Sequence, residues 1–300
     1  MRQCLAIVFV ATAMLAPTRA HADLKVIATT ADLASVAAEI GGKHASVITL
    51  ALPTQDPHFV DARPHLALDL ARADLLIAVG LELEVGWLPT LQTGSRNGKV
   101  LKGARGYLDC SQLIDVLDVP RERVDRSMGD IHPGGNPHYM FDPRRVAKVA
   151  AGIAARMAEL DPGNTAAYQA GLQHFLGKLE SARKRWEQAL ASLRGQKVVS
   201  YHRSLTYFAD WLGLTVSTQI EPKPGIPPSP RDLANILSLM KAQGVKLVLQ
   251  EEWYPANASQ MLAEHAGARV VRLPGGPDYD HGKNYFDFMD TLVARLRSAP

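Results

Sequence analysis

Three histidines stand in settings that suit a metal ion. His138 lies in Asn136-Pro137-His138-Tyr139-Met140-Phe141-Asp142-Pro143, and a partial echo of that stretch, Asp56-Pro57-His58-Phe59, lies 80 residues upstream. His202 follows the apolar run Val198-Val199-Ser200-Tyr201. Imidazole nitrogen suits zinc, copper, nickel and iron, whereas carboxylate and water suit manganese, magnesium and calcium. The proline before each of His58 and His138 fixes one backbone angle, which lowers the entropy lost in presenting the ring. Single histidines are commonplace; three at equivalent topological positions predict one shared transition-metal ion.

The elements that would position them alternate. Asp23 to Thr29 reads as a strand, Ala31 to Ile40 as a helix, Ala45 to Leu52 as a strand leading toward His58, Pro64 to Arg72 as a helix and Asp74 to Val79 as a buried strand. Another strand region is expected from Val100-Leu101, and Asp118 to Asn136 reads as a loop that delivers His138. Pro143 to Leu160 is helical. So is Thr165 to about Leu193, whose apolar positions from Tyr168 to Leu193 follow helical spacing over roughly 43 Å. After Gly195 the alternation resumes, with strands at Lys197–Tyr201, Thr215–Ile220, Val245–Gln250 and Val270–Leu273. Ser229-Pro230-Arg231-Asp232 is a helix start with Ser as N-cap. Strand–helix alternation predicts parallel sheets with helices on both faces, and ligands of such sheets bind beyond the strands' C-terminal ends. The expected fold is α/β: two lobes, each with a mainly parallel sheet flanked by helices, bridged by one long helix. The expected boundaries are 23–160 for the N-terminal lobe, 161–195 for the linking helix and 196–300 for the C-terminal lobe.

The N-terminus has its own pattern. Arg2, an apolar run from Leu5 to Leu15 and Ala20-His21-Ala22 form a secretory signal peptide over 1–22. Its removal takes away Arg2 and Arg19 and no acid, so the net charge falls from +3 to +1. A near-neutral chain offers no electrostatic reason to bind nucleic acid or anionic membrane. Removal also takes Cys4 and leaves Cys110, so no intramolecular disulfide is expected.

Taken together, these stretches resemble the metal-binding receptors of bacterial ABC importers, the zinc/manganese class of periplasmic solute-binding proteins (ZnuA-like and TroA-like, cluster A-I). The matching residues are Asp56-Pro57-His58 with Pro64, Ala73-Asp74-Leu75-Leu76-Ile77-Ala78-Val79-Gly80, Asn136-Pro137-His138 with Asp142-Pro143, and His202 with Tyr207-Phe208. The resemblance implies a site between two lobes, with His58, His138 and His202 as ligands. It further implies a periplasmic, non-enzymatic protein, expected as a monomer, whose partner is an inner-membrane ABC permease.

Two departures from that class stand out. Its usual aspartate after the last strand is replaced by Leu273-Pro274-Gly275-Gly276, with Asp278 and Asp280 a few residues late. Glu251, at the end of the preceding strand, is the expected fourth ligand, with water as its competitor. The long histidine-rich loop of many zinc members is reduced here to His132. His132 and His281 sit in glycine-containing loops as candidates to capture or relay metal, and His65 is a candidate supporting group. Three neutral imidazoles and at most one carboxylate favour four-coordinate Zn²⁺. A Mn²⁺ site would be expected to offer a second carboxylate in place of His202, and copper or nickel could also bind such nitrogens. Alternative readings are a zinc-dependent hydrolase, or an adhesin or metal chaperone on the same fold.

Overall fold

The computed structural model describes residues 23–122, 132–223 and 225–298. The expected signal peptide and nine residues of the expected 118–136 loop lie outside them. The first half contains β1 (Leu24–Ala28), α1 (Ala31–Gly41), β2 (Ala45–Thr49), α2 (Pro64–Ala71), β3 (Leu75–Ala78), α3 (Leu88–Ser95) and β4 (Tyr107–Asp109). Its strands form a parallel sheet in the order β2-β1-β3-β4. Two helices follow, α4 (Pro143–Leu160) and α5 (Thr165–Ala189). The second half contains β5 (Lys197–Ser200), α6 (Thr206–Leu212), β6 (Thr215–Gln219), α7 (Pro230–Gln243), β7 (Leu247–Glu251), α8 (Asn257–Ala266), β8 (Arg269–Leu273) and α9 (Tyr285–Arg297). Its sheet is also parallel, in the order β6-β5-β7-β8.

Parallel sheets need cover on both faces, and the central strands carry the apolar runs that this demands. Every residue of β3 and β7 is buried. The outer face of the first sheet packs Ile27, Leu76 and Ala78 against Leu66 and Leu70 of α2 and Leu88 and Leu91 of α3. The outer face of the second packs Val199 and Val248 against Ile236 and Met240 of α7 and Leu262 of α8. The inner faces share one continuous core, which runs from Val26 and Val36 through Val149, Phe175 and Trp186 to Phe208, Leu249 and Leu292.

Helix α5 ties the halves together. Lys178 pairs with Glu39 of α1 at 3.0 Å, and Trp186 Nε1 donates to Asp290 of α9 at 2.6 Å. The helix is shorter than the sequence pattern suggests. Its α-helical part ends at Ala189, about 38 Å long at 1.5 Å per residue, and a 3₁₀ turn over Ala191–Leu193 follows. The expected strand at Val100-Leu101 is instead the end of a 3₁₀ turn, Gly98–Val100, held by Asn97, whose side chain accepts from the Lys99 amide. The strand that completes the first sheet lies at Tyr107–Asp109, where the backbone is free to pair with β3. The start of α7 is as expected: Ser229 and Asp232 form a full capping box. Among the described residues, no helix is long and apolar enough to cross a membrane.

Candidate metal centre

The two proline–histidine stretches fold into the same local device. Asp56 Oδ1 accepts the His58 amide at 3.0 Å, and Asn136 Oδ1 accepts the His138 amide at 2.9 Å. Each is an Asx turn, in which a short side chain bonds the backbone two residues on. The echo in the sequence is therefore an echo in backbone geometry. Each turn is anchored to its surroundings. Trp87 Nε1 donates to the Pro57 carbonyl at 2.9 Å. Asn136 Nδ2 donates to the Arg203 carbonyl at 2.8 Å, and Tyr207 Oη donates to the Asn136 carbonyl at 2.6 Å. The turn carrying His138 is thus bolted to the segment that carries His202. On its other side, Tyr139 Oη donates to the Val79 carbonyl at 2.6 Å, at the end of β3.

His58 lies further from its strand than the sequence suggests. Strand β2 ends at Thr49, but Leu50 and Ala51 continue bonding to Ala28 and Thr29 at 2.9 and 3.0 Å. His202 lies two residues past β5, where the Ser200 hydroxyl holds its carbonyl at 2.7 Å. The neighbouring strand β6 runs parallel to β5, with Ser200 opposite Gln219, so Glu221 arrives beside His202.

The three rings form a near-equilateral triangle, with centroid separations of 5.2 Å (His58–His138), 5.3 Å (His58–His202) and 5.2 Å (His138–His202). One nitrogen from each lies within 4.8 Å of the others. Two of the rings are oriented by carboxylates: His58 Nδ1 is 2.7 Å from Asp56 Oδ1, and His202 Nδ1 is 2.8 Å from Glu221 Oε2. A carboxylate can only accept, so each Nδ1 carries the proton and each Nε2 presents a lone pair. Carboxylate support of this kind is the usual companion of a metal-bound histidine. His138 Nε2 is buried and has no hydrogen-bond partner among the described residues. A buried, unpartnered ring nitrogen is costly unless something else occupies it.

The electrostatics hold two of these imidazoles, His138 and His132, in the neutral form. Burial pushes the His138 imidazole well below its usual pKa, and the facing His58, His202 and His132 push it further. His132 behaves alike: burial, then His58 and His202, lower it to about 3. Burial opposes the charge on Asp56, but the hydrogen bond and charge of His58 hold its carboxyl below the ordinary range.

The remaining expected residues fall differently. Glu251 is not part of the three-histidine group: it is fully buried at the end of β7 and accepts the Ser204 hydroxyl. Burial raises its carboxyl to about 7, against the Ser204 hydrogen bond and helped by the negative charges of Asp56 and Glu221. Asp278 pairs with His281 at 2.7 Å on the exposed surface, and Asp280 is exposed as well. After β8 the chain packs tightly at Gly275, where a Cβ would fall 1.5 Å from the Trp253 indole. His65 is exposed near the start of α2. His132, in contrast, stacks on His58 with centroids 5.3 Å apart.

Sequence reasoning missed Asp56 and Glu221 as supporting groups. Asp56 sat inside the quoted motif, and its Asx-turn chemistry was the available signal. Glu221 is 19 residues from His202 in the chain, and only strand pairing brings it there.

Comparison with known proteins agrees with this geometry. Residues 26–299 match the family described as ZnuA, zinc-uptake complex component A, periplasmic. A high-affinity zinc uptake system protein ZnuA of Bacillus subtilis is 22% identical over 84% of this chain and 80% of its own length. A manganese ABC transporter substrate-binding lipoprotein of Streptococcus gordonii is 25% identical over 58% of this chain and 54% of its own. A crystal structure of ZnuA superposes with a TM-score of 0.75 at 26% identity, covering 92% of this chain and 98% of that one. A nickel complex of FpvC from P. aeruginosa has the same fold, with a TM-score of 0.75 at 20% identity over 92% of this chain and 98% of its own. The chain therefore belongs to the ZnuA family of periplasmic zinc-uptake components, within the zinc/manganese class of ABC-importer substrate-binding proteins.

Proposed function

We propose that this protein is an exported Zn²⁺ receptor that captures the ion through Nε2 of His58, His138 and His202 and delivers it to the inner-membrane permease of an ABC importer. The signal peptide over 1–22 would be cleaved on export, and the mature protein would act as a monomer with lobes at 23–160 and 196–300 joined by 161–195. The observation that carries the reading is the triangle of buried imidazoles, two of them tied at Nδ1 to carboxylates so that Nε2 is left for a cation. Neutral nitrogen donors favour zinc over manganese, which prefers oxygen. Zinc–imidazole bonds of about 2.0–2.1 Å put tetrahedral nitrogens about 3.3 Å apart.

Capture is favoured over hydrolysis. Of the two carboxylates that a hydrolytic reading would use as general base, Glu251 is buried against Ser204 and outside the histidine group, and Glu252 is paired with Arg295 at 2.6 Å. The test is calorimetry of the metal-stripped protein lacking 1–22, with Zn²⁺ and Mn²⁺. Zn²⁺ should bind more tightly than Mn²⁺, and His58→Ala, His138→Ala and His202→Ala should each weaken Zn²⁺ strongly while leaving the fold intact. Zinc affinity indifferent to all three substitutions would overturn the proposal.

A further inference from the structure

Outside the three-histidine group, a fourth imidazole stands beside His58 from the loop before α4. His132 Nε2 lies 3.2 Å from His58 Nε2, and the two rings are stacked. His58 already spends its Nδ1 proton on Asp56, so its Nε2 is a lone pair. The His132 ring is also hydrogen-bonded to the Leu81 backbone. With Nε2 turned to His58, Nδ1 is the nitrogen left for that bond, which leaves Nε2 of His132 as a second lone pair facing the first. Two lone pairs at this distance repel unless a cation lies between them. Their separation matches the edge of a tetrahedral zinc–imidazole site, about 3.3 Å.

The position of His132 is built into the backbone. Gly135 donates its amide to the His132 carbonyl at 3.1 Å, closing a turn over Pro133-Gly134. Gly135 has φ +110°, and a Cβ there would meet Val116 at 2.3 Å and the Leu117 carbonyl at 2.9 Å. A Cβ on Gly134 would meet Leu81 at 2.9 Å. Leu81 itself sits in a left-handed stretch, with φ +52° after Gly80 at +84° and before Glu82 at +64°. Glu84 secures this stretch by accepting the Val79 and Gly80 amides at 2.7 and 3.1 Å. Both the turn that carries His132 and the backbone that orients it are therefore held in uncommon conformations.

We infer that His132 is the fourth metal ligand, so that the ion is held by four imidazoles and no coordinated carboxylate. This rests on the proposed three-histidine site and replaces Glu251, Asp278, Asp280 or water in the remaining position. Four neutral nitrogens disfavour Mn²⁺ and suit Zn²⁺.

The test compares the parent with His132→Ala, using chelator-competition titration with Zn²⁺ and X-ray absorption at the zinc edge. His132→Ala should weaken Zn²⁺ by more than about tenfold, the least that loss of a mere supporting partner causes. Four imidazoles in the parent should become three plus a light-atom ligand in the variant. Unchanged affinity with three imidazoles in both proteins would overturn the inference while leaving the three-histidine site intact. So would tighter binding in the variant, which would make His132 a competitor for the His58 lone pair. Retained affinity in His58→Ala, His138→Ala and His202→Ala would sink the underlying site instead.

Discussion

Asp56→Ala is the most informative perturbation of the metal centre, because it leaves every proposed ligand in place. One oxygen, Asp56 Oδ1, accepts both the His58 amide at 3.0 Å and the His58 ring at 2.7 Å. Both side chains are largely buried, 16% and 7% exposed, so solvent cannot substitute freely for the lost contacts. Removing such a carboxylate frees the ring to rotate and to switch tautomer, and partners of this kind are worth about 10–100-fold in metal affinity. That corresponds to about 1.4–2.7 kcal/mol. Asp56→Asn keeps an acceptor for both bonds but loses the charge. A charge-assisted bond is about twice as strong as a neutral one, so roughly half the free energy, or about 3–10-fold in affinity, should be lost. Chelator-competition titration of the metal-stripped proteins resolves these differences. Parent-like Zn²⁺ affinity in Asp56→Ala, alongside a large loss in His58→Ala, would refute the claim that the carboxylate sets the ring's orientation.

Two other outcomes are expected. The raised carboxyl of Glu251, about 7 when folded against an ordinary 4.5, means the folded state holds its proton more tightly than the unfolded state. Its contribution to stability is therefore full below about pH 4.5 and is lost as pH rises through 7. Glu251→Gln should raise thermal stability at pH 8, by an amount on the order of 3 kcal/mol, with little change at pH 5 and little change in Zn²⁺ affinity; equal effects at both pH values, measured by calorimetric melting, would contradict this. Solution scattering with and without Zn²⁺ should show little change in radius of gyration, because α5 and a continuous inner core join the two sheets; a large hinge closure would be inconsistent with that core.

The architecture was open to sequence reading wherever a period or a cap announced itself. Helix α4 spans Pro143–Leu160, the range its spacing predicts, because Asp142 caps it, Pro143 opens it and its apolar residues recur on one face. The buried strands β3 and β7 announced themselves as apolar runs of strand length. Strand β4 did not, because Tyr107–Asp109 is three residues long and ends in an aspartate, while the neighbouring Val100-Leu101 carried the stronger apolar signal.

For the site, the identities and local turns of His58 and His138 follow from the chain itself, since an Asx turn before each ring involves residues two apart. What completes the site is non-local. Glu221 reaches His202 only because β5 and β6 pair in parallel, and His132 reaches His58 across 74 residues of chain. Glu251 sits at the end of a strand as the sequence implied, but packing against Ser204 turned it into a buried acid. Sequence determines which groups can ligate and how each is presented, because those are properties of short segments. Which lone pairs converge is decided by strand register and core packing, which bring together residues that no spacing rule connects.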